Sequence, residues 1–355
     1  MPDGNDAMKM VPVDQAIDFM KRSFMAVGMP DADAGITAKL MADADLMGKD
    51  SHGIFRLPGY IGRIKAGGVN TTPNIRIERE TGATALVDGD NGMGHLVINR
   101  CAEIAMDKAA ENGVGWVGVH HSNHAGAAAV YSNMPMERDM IGIYVAVGSA
   151  NHLPPWGGTE MLLSTNPISI SVPAMEEKPI VLDMATTVSS FGKIKVLAQR
   201  GQMMPEGFMV DSDGKPLLDP RKAEEGFLLP IGGAKGYGLA LMFGLLAGTL
   251  NGAFFGKNVV DMNADPSSVT NTGQFIVAVD IKAFNDVDTF KRNVDDIVRQ
   301  MQGSPTMKGF ERVRLPGETS MNAIDARTKT GLPIPPQLMR LLDGVAGNLG
   351  IVGLS

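Results

Sequence analysis

Apolar residues recur at helical spacing early in the chain. Val13, Ala16, Ile17, Met20 and Phe24 predict one amphipathic helix, and Ile36, Leu40, Met41 and Ala44 predict a second over about 31–46. A polar break at Lys49-Asp50-Ser51-His52-Gly53 follows. A third helix carries Leu57, Tyr60, Ile61 and Ile64 and ends at Gly67-Gly68. From about residue 73 short apolar runs alternate with helical patterns. Strands are expected over 75–77, 85–87, 114–119, 141–147, 168–172, 180–182 and 275–279. Helices are expected over 95–112, after Gly126, and over 190–200, 237–250 and 287–301. This alternation predicts an α/β layer structure. The stretch 201–222, with Pro205, Gly207, Pro216 and Asp219-Pro220, reads as an ordered loop with a β-turn at Asp213-Gly214, and 263–271 reads as a second loop.

Composition narrows the class. With 355 residues the chain can bury a large core, in one large or two interlocked domains. Its 44% hydrophobic and 20% charged content excludes wholesale disorder. The net charge is −7 and no stripe of Lys and Arg forms, which argues against a nucleic-acid partner. The lone Cys101 cannot form an intrachain disulfide and falls in an apolar helical pattern, as a small core residue does. The first residues lack the basic-then-apolar pattern of a secretory leader. The apolar stretch 239–250 is too short to span a bilayer. A cytoplasmic protein without a membrane partner is expected.

Several segments carry candidate chemistry. Gly113 to Gly118 matches G-x-G-x-x-G, but the match follows a helix and lies within a strand. A dinucleotide fingerprint needs the reverse order, so this match is set aside. His120, His121 and His124 cluster after a strand with no acid close in sequence; catalysis, metal binding and surface hydrogen bonding stay open for them. Asp50-Ser51-His52-Gly53 could simply start a helix. It also offers an imidazole that can move a proton near neutral pH, with Arg56 and Tyr60 on the following turns. Arg56 could grip a carboxylate through paired hydrogen bonds. Asp183, with Thr186 and Thr187, ends an apolar strand, where open sheets place ligands. Gly232-Gly233-Ala234-Lys235-Gly236 opens a helix and could hold a phosphate or carboxylate, or merely join loop to helix.

Taken in order, these stretches resemble the type-2 malate/L-lactate dehydrogenase family, with its sulfolactate, ureidoglycolate, 2,3-diketogulonate and piperideine-2-carboxylate relatives. The matching segments are Asp50-Ser51-His52-Gly53 with Arg56, Ser122-Asn123-His124-Ala125-Gly126, Pro155-Trp156-Gly157-Gly158 and Ser164-Thr165-Asn166-Pro167. They continue with Leu182-Asp183-Met184-Ala185-Thr186-Thr187, Gly192-Lys193, Pro205-Glu206-Gly207, Lys235-Gly236-Tyr237-Gly238-Leu239 and Leu315-Pro316-Gly317-Glu318. The ordered set is specific where each piece is weak. Ala125 stands where many members carry an aromatic residue, and Gly148 to His152 also departs from the family pattern. Both bear on substrate choice.

The resemblance implies a non-Rossmann NAD(P)-binding α/β fold, a mixed sheet with flanking helices, and a homodimer. It implies a helical segment 1–72 packed with 300–355, around a cofactor-binding α/β domain at 73–299. NAD or NADP would be the cofactor, and a small 2-oxo or 2-hydroxy acid the substrate, with a cyclic imino acid or a diketo sugar acid as the alternative. His52 would donate or accept the proton, with His124 as the other candidate and Asp183 fixing the His52 ring by a hydrogen bond. Ser51, Arg56 and Tyr60 would line the substrate pocket. His124, Asp183, Met184, Ala185, Thr186, Thr187, Lys235, Gly236, Gly317, Glu318 and Thr319 would contact the cofactor. No metal is required. The rival readings are a metal-dependent hydrolase on His120, His121 and His124, and a non-catalytic binding paralogue.

Overall fold

The computed structural model describes residues 8–199 and 201–355. Residues 1–7, at the head of the expected N-terminal segment, and Arg200, at the end of the helix expected over 190–200, lie outside the described residues. Strand β1 (Lys9–Val11) leads into helices α1 (Val13–Met25), α2 (Asp31–Leu46) and α3 (Leu57–Lys65). Then come β2 (Arg76–Glu80), β3 (Thr84–Asp88), α4 (Gly94–Asn112), β4 (Val114–Ser122), α5 (Ala128–Asn133), β5 (Met140–Ala146), β6 (Ile168–Val172) and β7 (Ile180–Met184). The chain continues through α6 (Phe191–Gln199), β8 (Met209–Val210), β9 (Phe227–Leu228), α7 (Ala234–Ala247) and β10 (Thr272–Asp280). It ends with α8 (Val287–Gln302), α9 (Glu318–Thr330), β11 (Leu332–Ile334) and α10 (Pro336–Leu349).

Seven strands form one mixed sheet in the order β2-β3-β4-β10-β5-β6-β7. Only β3 and β4 run parallel, joined by the crossover helix α4; the other neighbours are antiparallel. Strand alternation assigns the faces. Ile276 and Ala278 of β10 join Val117, Val119, Val97, Ile98, Cys101 and Ala105 on the α4 side. Phe275 and Val277 turn to the other face, with Val145, Val147 and Ala247 of α7. Gly113 ends α4 in a left-handed conformation. A Cβ on Gly115 would fall 2.0 Å from the Ala105 carbonyl oxygen. These glycines let α4 close onto β4, so the G-x-G-x-x-G match is a packing feature.

A second buried cluster joins α1, α2 and α3 to β11 and α10, through Phe19, Phe24, Met41, Leu57, Ile61, Leu332, Met339 and Leu342. Phe19 and Phe24 are fully buried; each such side chain contributes about 1.5–3 kcal/mol. The β1–β11 ladder, Lys9 opposite Ile334 and Val11 opposite Leu332, ties the two ends of the described chain together. The excursion after β7 keeps a small core of its own, with Ile194, Met204, Met209 and Leu228 buried together. Its expected turn is present: the Gly214 amide donates to the Asp211 carbonyl, and Gly214 has φ +78°.

Candidate active site

The loop from Lys49 to Arg56 leaves α2 under tight control. Asp45, on the last turn of α2, is buried, and its carboxylate accepts the Ile54 amide at 2.8 Å. It lies so close to Gly53 that a Cβ there would fall 2.0 Å from Asp45 Oδ1. Burial pushes the Asp45 carboxyl up to about 7. Arg327 of α9 donates to the Asp45 carbonyl and pairs with the Asp50 carboxylate. Arg56 Nε closes the loop on the Ser51 carbonyl at 2.9 Å. Among the described residues, the terminal guanidinium nitrogens of Arg56 meet no carboxylate and make no hydrogen bond.

This frame presents His52 with its Nδ1 2.8 Å from Ser51 Oγ. His124 arrives from the connection after β4, and its ring lies nearly parallel to that of His52, with centroids 5.9 Å apart and an interplanar angle of 22°. Tyr60, on α3, is buried and donates its hydroxyl to His124 Nδ1 at 2.6 Å. The Gly126 amide points at the same nitrogen, 3.3 Å away. A backbone N–H can only donate, so Nδ1 is an acceptor and the His124 proton sits on Nε2. Burial, then the Arg56 charge, pushes His52 down to about 4. The same two causes, in that order, hold His124 well below its usual value. Both imidazoles are therefore neutral at neutral pH.

Sequence reading missed His95 at the head of α4. It is buried, stands edge-on to Tyr60 at 5.5 Å, and among the described residues finds no hydrogen-bond partner for either ring nitrogen. Burial and then the His52 charge push it down to about 3. Its signal was a polar residue on the apolar face of a helix. Arg63 was missed as well. It is buried and donates to the carbonyls of Met262, Asp265, Gly68 and Ser268 and to Asn123, which fixes the 263–271 loop beside the His124 connection.

One expected contact is corrected. Asp183 does not hydrogen-bond His52: it pairs with Lys49 Nζ at 2.8 Å, and Ser51 takes His52 Nδ1 instead. The pair still tethers the His52 loop to the end of β7. In the sequence Lys49 stands only as part of a polar break.

The segments expected at a cofactor lie along β7, with Asp183 to Ser189 and the turn before α7 at and beyond its end and Gly317 near its start. The Ile231 amide donates to the Thr186 carbonyl and the Val188 amide to the Leu229 carbonyl, which lays Asp183 to Ser189 beside the turn before α7. The Val181 amide donates to the Pro316 carbonyl, and Gly317 packs on Val181. At the head of α6, a Cβ on Gly192 would lie 4.0 Å from Ser51 Cβ. Met184 and Ala185 are half-buried along this edge, and Thr319 is exposed on the first turn of α9. Several side chains are already committed. Thr186 Oγ1 donates to the Thr165 carbonyl, Thr187 Oγ1 donates to the Ser189 carbonyl, and Glu318 pairs with Arg312. The free donors are at the head of α7. Gly232 and Gly233 both have positive φ, Gly236 is buried, and Lys235 is exposed. Helix N-terminal amides with a lysine suit a phosphate-bearing nucleotide, so this edge fits a nicotinamide cofactor.

The three-histidine cluster is also corrected. His124 belongs with Tyr60, apart from His120 and His121. The acids missing from the local sequence arrive from neighbouring strands: Glu78 beside His120 and Asp88 beside His121.

The family model described as malate/L-lactate dehydrogenase matches residues 11–343. The chain is 40% identical over 326 residues to the malate/(S)-sulfolactate dehydrogenase of Methanothermus fervidus, covering 92% of this chain and 94% of that protein. It is 32% identical over 291 residues to the NAD(+) ureidoglycolate dehydrogenase of Escherichia coli K12, covering 82% of each. Among solved structures, sulfolactate dehydrogenase from Methanocaldococcus jannaschii superposes with a TM-score of 0.90 at 38% identity, covering 97% of this chain and 98% of that one. Malate dehydrogenase from Entamoeba histolytica gives 0.93 at 29% identity, covering 97% and 99%.

Proposed function

The chain belongs to the malate/L-lactate dehydrogenase family, and on that premise we propose that it interconverts a small 2-hydroxy acid and its 2-oxo acid with NAD or NADP, His52 moving the proton. When bound, the nicotinamide gives or takes the hydride. The observation that carries the assignment of His52 is the hydrogen bonding of the two facing imidazoles. His124 Nδ1 accepts from Tyr60 and Gly126, so protonating it would cost the Gly126 bond and force the Tyr60 bond to reverse. His124 is left with an Nε2–H, which can hold the substrate oxygen. His52, with Ser51 on one nitrogen and the other unpaired among the described residues, takes the hydroxyl proton in oxidation and returns it in reduction. The unpaired end of Arg56 receives the substrate carboxylate and aims the reacting carbon. Lys235 and the α7 amides receive a cofactor phosphate, and Asp183 to Ser189, with Gly317 to Thr319, form the wall beside it.

Two further parts of the proposal are a homodimer and a cytoplasmic setting. Beyond Lys235 on its first turn, helix α7 is apolar on every face, yet Leu239, Met242 and Leu245 are exposed. Such a helix calls for a covering surface, which a second copy would supply. No helix among the described residues is long and apolar enough to cross a membrane.

The test is loss of nicotinamide absorbance from NADH and from NADPH against a panel of 2-oxo acids, with cyclic imino acids included. Turnover with a 2-oxo acid and at least one cofactor is expected. Absence of turnover, together with absence of saturable cofactor binding, would sink the proposal.

A further inference from the structure

The histidines that the active site leaves out stand in a defined cluster. Strands β3 and β4 run parallel with Asp88 opposite His120. Consecutive strand residues ordinarily point to opposite faces. His121 breaks that rule with φ +48°, in the left-handed region that a non-glycine residue seldom enters. The kink is held on several sides. The His121 amide donates to Asn271 Oδ1 at 2.6 Å, the Asn91 amide donates to the His121 carbonyl at 2.8 Å, and the Gly89 amide donates to the His120 carbonyl at 3.0 Å. The two rings consequently share one side, with centroids 4.3 Å apart.

Asp88, His120 and His121 each place a ligand-type atom within 4.8 Å of the others, and His121 Nδ1 is 3.0 Å from Asp88 Oδ1. Ligand atoms of a four-coordinate zinc centre, each about 2.0–2.1 Å from the metal, stand about 3.3 Å from one another. Glu78 Oε2 accepts from His120 Nε2 at 2.9 Å, the outer carboxylate that commonly fixes a metal-binding imidazole. We propose that Asp88, His120 and His121 form a binding site for a divalent transition cation of the zinc class. Two imidazoles and one carboxylate favour such an ion over magnesium or calcium, which prefer oxygen ligands alone.

Arg76 sets the strength of this site. Its guanidinium lies 2.5 Å from Asp88 Oδ2 and competes with the cation for the same carboxylate. Arg76 is half-exposed and also lies 3.7 Å from Glu78 Oε1. His124, bonded to Tyr60, is not one of its ligands. The site would clamp the strand end from which the chain runs on to His124.

The probe is zinc alone, titrated by calorimetry into the full, chelator-treated protein. One ion per chain is expected. Affinity should fall roughly tenfold or more in Asp88→Asn, His121→Asn and Glu78→Gln. It should rise in Arg76→Gln, which removes the competitor. Asparagine tolerates left-handed φ, so His121→Asn with a native circular dichroism spectrum separates loss of ligation from loss of fold. No saturable binding by the wild type, or equal affinity in wild type, Asp88→Asn and His121→Asn, overturns the proposal.

Discussion

At the residue scale the two facing histidines are chemically different, although burial lowers both. His52 is the one whose protonation breaks no backbone hydrogen bond, so its titration should appear in the kinetics. With its value pushed down to about 4, free His52 is a base throughout the neutral range. In the oxidation direction kcat/KM should rise as pH climbs through about 4 and then stay level. In the reduction direction it should fall as pH rises, because the protonated fraction shrinks about tenfold per unit. Profiles of kcat/KM in both directions test this; a reduction rate indifferent to pH would remove His52 from the proton path. His52→Ala should lower turnover roughly 100-fold or more, and near-normal turnover would transfer the role to His124. For Arg56→Lys the expected result is a raised Michaelis constant for the acid, since an ammonium cannot make the paired contact of a guanidinium. An unchanged constant would place the carboxylate elsewhere.

At the scale of elements, the His52 loop depends on a carboxyl group that touches no substrate. Asp45 is buried against Gly53 and Ile54 and pushed up to about 7, against an ordinary value of 3.8. Between these values the folded protein holds a proton that the unfolded chain has released. The stability that this proton contributes is complete below about 4 and is lost as pH rises through about 7. Three units correspond to at most about 4 kcal/mol. Asp45→Asn keeps an acceptor for the Ile54 amide and does not titrate. Denaturant unfolding of both proteins at pH 5 and pH 8 should show the wild type losing stability relative to the variant at the higher pH. A constant difference between the two would mean that Asp45 stays charged throughout.

The same loop shows what sequence could and could not convey. Its residue types were legible, because His, Ser and Arg at close spacing announce chemistry. The Tyr60–His124 bond, the Lys49–Asp183 pair and the Asp45 support join residues far apart in the chain, and no local pattern records them. The α/β layering was legible from alternation and the mixed sheet only from the family resemblance, while α2 falls at the bounds its apolar spacing predicts. Strands β1 and β11 were not, since each has three residues and exists only by pairing with the other. Helix α9 buries none of its side chains, so it lacks the apolar stripe that would have marked it. Met339, Leu342 and Ala346 of α10 do carry such a stripe, and that helix could have been found.

For the whole molecule, the decisive feature is where α7 sits. Its inner side packs on the sheet through Ala247, Phe243 and Leu246. Its outer side leaves Met242 52% exposed, and Leu250 just beyond the helix is 63% exposed. Its first turn carries Lys235, close to β7 and the segments proposed to hold the cofactor. If a second copy covers this helix, assembly and cofactor binding are coupled, because separating the copies exposes an apolar helix whose first turn is the proposed phosphate site. Met242→Glu with Leu245→Glu should shift sedimentation from dimer to monomer and raise the cofactor Michaelis constant together. The wild type should show the same rise on dilution below its dimer dissociation constant. A wild type that sediments as a monomer removes the dimer itself. A variant that stays dimeric with unchanged cofactor affinity moves the interface away from α7 and leaves that apolar face to another partner.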